Sequence, residues 1–114
     1  MYSNELIRGT LKTIILKLLA EEGKMYGYEM TRKVKELTAD KIQITEGALY
    51  PMLHQLETEG IVKTETVNIG KRVRKYYMLT KDGKATARNK IGEMADFLNT
   101  MRILFDLEKG LKNA

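Results

Sequence analysis

The chain has 114 residues, 43% of them hydrophobic, which is enough for one compact core but short for two independent ones. It has no Cys and a single His, so a disulfide framework, a thiolate metal site, a Cys-His pair and a His-rich metal cluster are all excluded, and nothing calls for an oxidising compartment. The net charge of +5 and pI near 9.4 suit a polyanionic partner. No apolar run approaches the ~20 residues of a membrane span, and the N-terminus MYSNELIRGT lacks an apolar signal core, so a cytoplasmic protein without membrane contact is expected.

Residues 4–20 carry Ile7, Leu11, Ile14, Ile15, Leu18 and Leu19 at helical spacing, with Gly23 placed for a left-handed C-cap. Leu6 and Leu16 fall off that stripe, so this first helix is expected to be covered on more than one side. A second, amphipathic helix over 26–37 sets Tyr26, Met30, Val34 and Leu37 against a charged face. In TADKIQIT, Ile42 and Ile44 alternate with polar residues, which predicts a brief extended stretch before Thr45 caps a third helix over 46–59.

Leu49, Met52, Leu53 and Leu56 form the inner stripe of that third helix, leaving Gly47, Tyr50, Pro51, His54, Gln55 and Thr58 outside. Pro51 removes one backbone bond, so a kink after the first turn is expected. IVKTETVN and VRKYYML around Gly70 read as a β hairpin, with the adjacent Tyr76 and Tyr77 pointing to opposite faces. Four of the five residues 71–75 are cationic (Lys71, Arg72, Arg74 and Lys75). The whole segment 63–90 holds nine cations against Glu65 and Asp82, leaving the rest of the chain slightly acidic.

Thr80 is placed to cap a long last helix, with Asp82 in its first turn. Ala87, Ile91, Met94, Leu98, Met101 and Phe105 follow the 4-3-4-3-4 spacing of a coiled-coil seam. Phe97, Leu104 and Leu111 add a second stripe, with Ile103 and Leu107 nearby. So wide an apolar face predicts a homodimer through Ile91, Met94, Leu98, Met101 and Phe105, unless the helix folds back on helix one of its own chain.

The fold class expected is mainly α with a small β hairpin (α+β): a winged helix-turn-helix domain over 1–80 and a C-terminal dimerisation helix over 81–114. In such a fold helix three lies in the major groove of double-stranded DNA and the basic hairpin grips the backbone. No nucleophile-base pair, glycine-rich phosphate loop or cofactor motif is present, so neither an enzyme nor a cofactor is expected. The alternative is a winged helix that meets an acidic protein partner without sequence-specific DNA binding.

GALYPMLHQLETEGIV followed by RKYYMLTKDGK resembles the PadR transcriptional regulators, whose winged helix carries Y-P-x-L-x-R-L-E-x-x-G and K-Y-Y-x-L-T-x-x-G segments. ILKLLAEEGKMYGYEM is similar to the family's first helix and its G-x-x-Y-G-Y-E/D-I/L junction, so the resemblance spans nearly the whole chain. The single tail helix resembles that of the family's short subfamily. It implies a dimeric repressor on a palindromic operator, released by a hydrophobic or phenolic small molecule. Carried over by position, it places Thr45, Glu46, Ala48 and Tyr50 at the DNA, Tyr50 on phosphate or sugar, and Lys71, Arg72 and Arg74 on the wing. His54, Gln55 and Lys75 complete the candidate set. Gln55 stands where the family usually has Arg, and Ala48 where a hydroxyl residue is usual, which alters the contacts available without touching the fold. Met94 and Phe97 occupy the region of a dimer-interface ligand pocket.

Overall fold

The computed structural model describes residues 2–107. The predicted Leu111 of the second apolar stripe lies outside the described residues. Elements follow in the order α1 (Asn4–Glu22), β1 (Lys24–Tyr26), α2 (Gly27–Leu37), α3 (Glu46–Thr58), β2 (Val62–Ile69), β3 (Arg72–Leu79) and α4 (Lys81–Leu104). This is an α+β winged-helix fold.

Local chemistry explains the boundaries. Ser3 Oγ accepts from Leu6 N–H at 3.4 Å to start α1, and Gly23, at φ 83°, ends it by donating to the Leu19 carbonyl at 3.0 Å. Helix α3 closes with Gly60 at φ 75°, where Ile61 N–H reaches back to the Leu56 carbonyl at 2.9 Å. That six-to-one bond, with Ile61 buried beside it, is a Schellman ending.

The segment 38–45 turns first: Ala39 and Asp40 take positive φ and Thr38 Oγ1 accepts from Ile42 N–H at 3.1 Å, after which Ile42 packs at the edge of the core, Ile44 is buried and Thr45 is extended. Helix α3 runs unbroken from Glu46 to Thr58 with Pro51 inside it. The hairpin also has an unforeseen third strand. Residues 24–26 form β1, and β3 lies between β1 and β2 in an antiparallel sheet. Tyr26 therefore belongs to β1, and α2 starts one residue later, with Glu29 Oε1 accepting from Tyr26 N–H at 3.1 Å.

The core is built from Leu11, Ile15, Leu16, Leu18 and Leu19 of α1, with Met30, Val34, Leu49, Leu53 and Leu56 from α2 and α3. Leu16 is fully buried, so α1 is covered on a second side; Leu6, by contrast, stays exposed. Val62, Tyr77 and Leu79 close the core from the sheet, and Ala87 from α4. Burying a Leu or Ile side chain contributes about 1.5–3 kcal/mol, so this cluster outweighs the exposed ion pairs, each worth about 0–1 kcal/mol.

Helix α4 packs on α1 over its first half and then leaves the body. Ile91, Met94 and Met101 are half-buried, while Phe97, Leu98, Ile103, Leu104, Phe105 and Leu107 are 52–72% exposed. The fold-back reading thus holds for Ala87 and Ile91 and extends in part to Met94, while Phe97, Leu98 and residues 103–105 are exposed in the single chain. The molecule measures 59 × 29 × 21 Å with a radius of gyration of 16.2 Å. A compact chain of ~100 residues would have about 13 Å. The excess reflects the projecting helix.

Candidate nucleic-acid interface

Thr45 sits in extended geometry, φ −78° and ψ 155°, and its Oγ1 accepts from Ala48 N–H at 3.2 Å. This cap fixes the first turn of α3, where Glu46, Gly47 and Ala48 are all exposed. Tyr50, Pro51, His54, Gln55 and Thr58 continue the same solvent face, so the outward set expected of α3 is outward here. Tyr50 is 43% exposed, because its ring end lies over Gly27 at the start of α2. Gln55, Ala48 and Pro51 line one wall of a groove of about 530 Å³ whose other wall is the N-terminal half of α1. Arg8 stands on that wall, and nothing in its helical spacing distinguishes it from a solvated cation.

Pairing of Ile69 with Arg72 makes the wing a tight hairpin around Gly70, at φ 61°, and Lys71. Strand alternation then divides the wing cations. Tyr77 and Leu79 point into the core, so Lys75 shares their face, while Arg72, Arg74 and Tyr76 share the other. The basic run is not one surface: it covers both faces of the hairpin. Tyr77 is buried and Tyr76 half-buried, as their adjacency requires.

Each cation is held differently. The Arg74 guanidinium lies 4.1 Å from the centre of the Tyr26 ring, which packs edge-on against Tyr76 with centroids 5.5 Å apart. Lys24 covers Tyr76 at 5.1 Å and pairs with Glu65 at 3.5 Å. These four side chains form a ladder from β1 to β3. Its β1 half, Lys24 and Tyr26, was not legible without the third strand. Lys75 pairs with Glu57 of α3 at 3.6 Å, and Thr64 Oγ1 donates to the same carboxylate at 3.2 Å. Glu57 thereby ties α3 to both wing strands. Lys71 and Arg72 have no carboxylate partner among the described residues.

Tyr77 lies under this junction. Burial, followed by the proximity of Tyr50 and then of Glu57, raises its phenol above the usual value. The remaining cations of 63–90 do not all join the wing: Lys63, Lys84 and Arg88 surround a separate pocket between α1, the sheet and α4. Among the described residues there is no cluster of His or carboxylate side chains able to hold a metal ion, and no helix is long and apolar enough to cross a membrane.

The geometry is that of known DNA-binding proteins. The sequence profile of the PadR-like family of transcriptional regulators matches residues 15–89. An uncharacterised protein of Lysinibacillus sphaericus is 34% identical over 99 residues, spanning 84% of this chain and 88% of its own. A transcriptional regulator from Clostridium thermocellum superposes with a TM-score of 0.79 at 31% identity, over 90% of this chain and 96% of that one. Bacillus subtilis PadR, solved in complex with operator DNA, matches with a TM-score of 0.64 at 32% identity, over 71% of this chain and 46% of that one. The chain belongs to the PadR-like family and is a DNA-binding transcriptional regulator, not an enzyme.

Proposed function

We propose that the chain is a homodimeric cytoplasmic repressor that binds a palindromic operator and leaves it when an apolar or phenolic effector binds. The observation that carries the dimer is the unpaired half of α4. Leu98, Ile103, Leu104 and Phe105 stand 57–72% exposed on a helix projecting from the body. Beside them an almost wholly apolar groove of about 460 Å³ runs between α1 and α4, lined by Ile14, Leu18, Leu37, Ile42, Met94 and Leu98. A second copy related by a two-fold axis would bury both surfaces.

In that dimer residues 81–114 serve as the dimerisation segment and 1–80 as the DNA-binding unit. Thr45, Glu46, Ala48, Tyr50, His54 and Gln55 meet the major groove. The wing cations Lys71, Arg72, Arg74 and Lys75 meet phosphates, with half-sites about one helical turn apart, near ~10 bp or a multiple. Gln55 in place of Arg suits an adenine edge. The operator complex of the Bacillus subtilis relative supports this reading.

An effector between the two last helices would act by changing the separation of the recognition helices. Met94 lines the apolar groove, whereas Phe97 is 53% exposed and does not line it. Unchanged ligand-induced release after Met94→Ala and Phe97→Ala would exclude that site.

The test is fluorescence anisotropy of the chain against its own upstream intergenic DNA and a scrambled duplex across a salt series. Preference for the upstream DNA with two chains per site is expected. Equal, weak binding to both duplexes would favour a protein-interaction module instead.

A further inference from the structure

We infer a binding site for a medium-chain acyl carboxylate in the pocket between the C-terminal end of α1, the outer face of the sheet and the first half of α4, formed by three unpaired cations around an aliphatic floor. The pocket is about 530 Å³, within the ~300–1,000 Å³ typical of small-molecule sites. Leu19, Leu79 and Ala87 form its buried base, with Ala20, Met78 and Ile91 completing the walls.

Lys63, Lys84 and Arg88 line the same cavity. They come from three places: β2, the first turn of α4 and one turn further along it. Among the described residues none of the three has a carboxylate partner. Three carboxylates close to the pocket in sequence are already engaged, Glu21 with Lys17, Glu22 with Lys33 and Glu65 with Lys24, and Asp82, two residues before Lys84, does not line the cavity. Isolated surface cations are ordinary, but three lining one cavity with an apolar floor and no carboxylate in its lining leave a site whose charge an anionic headgroup would balance.

The lining selects the rest of the ligand. Aliphatic side chains and the thioether of Met78 surround the cavity and no aromatic ring lines it, so an acyl chain fits better than a stacked aromatic body. The pocket is separate from the groove that carries Met94 and Leu98, although Ile91 borders both. Its occupancy therefore does not depend on the effector position proposed above.

Sodium decanoate, well below micelle formation, is titrated into the full chain and followed by amide and methyl NMR shifts, with decanol and acetate as the chain-only and head-only probes. Saturable shifts confined to Leu19, Ala20, Met78, Ala87, Ile91 and their neighbours are expected, with decanoate bound at least about tenfold tighter than either control. The exposed substitutions Lys63→Gln, Lys84→Gln and Arg88→Gln together should remove that preference over decanol. Ala20→Phe should fill the cavity from an exposed helical position and abolish binding, with circular dichroism confirming the fold. Decanol binding as tightly as decanoate, a triple variant with undiminished decanoate affinity, or shifts centred on Ile14, Leu18 and Leu98 would each overturn the assignment. The titration contains no DNA, so its failure is distinguishable from failure of the operator reading.

Discussion

The ring end of Tyr50, in the recognition helix, rests on the backbone of Gly27 at the first position of α2. A Cβ at Gly27 would stand 2.8 Å from Tyr50 Cζ and 2.9 Å from Cε1, so any side chain there must push the ring away. Gly27→Ala is expected to change stability by no more than about 1 kcal/mol, because the half-exposed ring can swing toward solvent while Ala suits a helix better than Gly. It should also weaken operator binding although residue 27 need not touch DNA. Urea melts and anisotropy titrations of the variant, with Tyr50→Phe alongside, check both effects. Operator affinity unchanged in Gly27→Ala would show that the ring's position does not matter for recognition.

The wing cations should not behave alike. Arg72, exposed and unpaired, is expected to lower the salt slope of DNA binding by about one unit when replaced by Ala, with similar losses on every duplex. Arg74→Ala should do the same and in addition loosen the aromatic ladder through Tyr26. Lys75→Ala should change the slope least, because its charge is already shared with Glu57. Salt-series titrations of the three variants give the order directly, and a loss confined to one sequence would move that residue to base readout.

A small clasp joins the wing to α4. Thr80 Oγ1 donates to the Gly60 carbonyl at 2.6 Å and accepts from Gly83 N–H at 2.9 Å, while a Cβ on Gly83 would overlap the Ile61 carbonyl oxygen. Backbone cannot swing aside as a side chain can. Gly83→Ala is therefore expected to be among the most damaging single-methyl changes in the chain, costing about 3 kcal/mol or more, against about 1–2 kcal/mol for Thr80→Ala, which loses the cap and the bond to the Gly60 carbonyl. Denaturant midpoints of both variants give the comparison.

Tyr77 makes the fold sensitive to alkaline pH. Its folded-state phenol is raised above 10.0 by burial first, then by Tyr50 and Glu57. The folded state thus holds its proton after the unfolded state has lost it. Stability from this group is complete below pH ~10 and falls as pH rises through the raised value. Tyr77→Phe should flatten that loss. Parallel urea melts between pH 8 and pH 11 would show it, and identical slopes would rule the phenol out as the cause.

Leu98→Glu with Leu104→Glu should give a monomer of unchanged secondary structure, since both residues are largely exposed in the single chain. Sedimentation equilibrium and circular dichroism test this, and a persisting dimer would place the interface elsewhere.

Much of this architecture is written in local patterns. Helical periodicity and the capping threonines Thr45 and Thr80 locate α1, α3 and the start of α4 to within about two residues, whereas α4 ends at Leu104 rather than running on through the whole of 81–114; the outward face of α3 follows from its inner Leu stripe. What escaped depends on contacts between distant segments. Strand β1 is three residues long and exists because Met25 and Tyr26 pair with Tyr77 and Tyr76. The turn at Ala39 and Asp40, just before Ile42 and Ile44, is a backbone choice that no side-chain period reveals. The basic run 71–75 looked uniform because linear spacing does not say which cation finds a ring, a carboxylate or water.

Among the described residues the core contains no buried charged or polar side chain and no buried side-chain polar atom left without a partner. The outer residues of α3 therefore share no hydrogen-bond network with the interior. His54, Gln55 and Thr58 can be exchanged with little effect on the packing beneath them, whereas Tyr50, braced on Gly27, cannot. This scaffold can acquire a new DNA address by substitution at a few uncoupled surface positions, while the brace keeps the angle at which that address is presented.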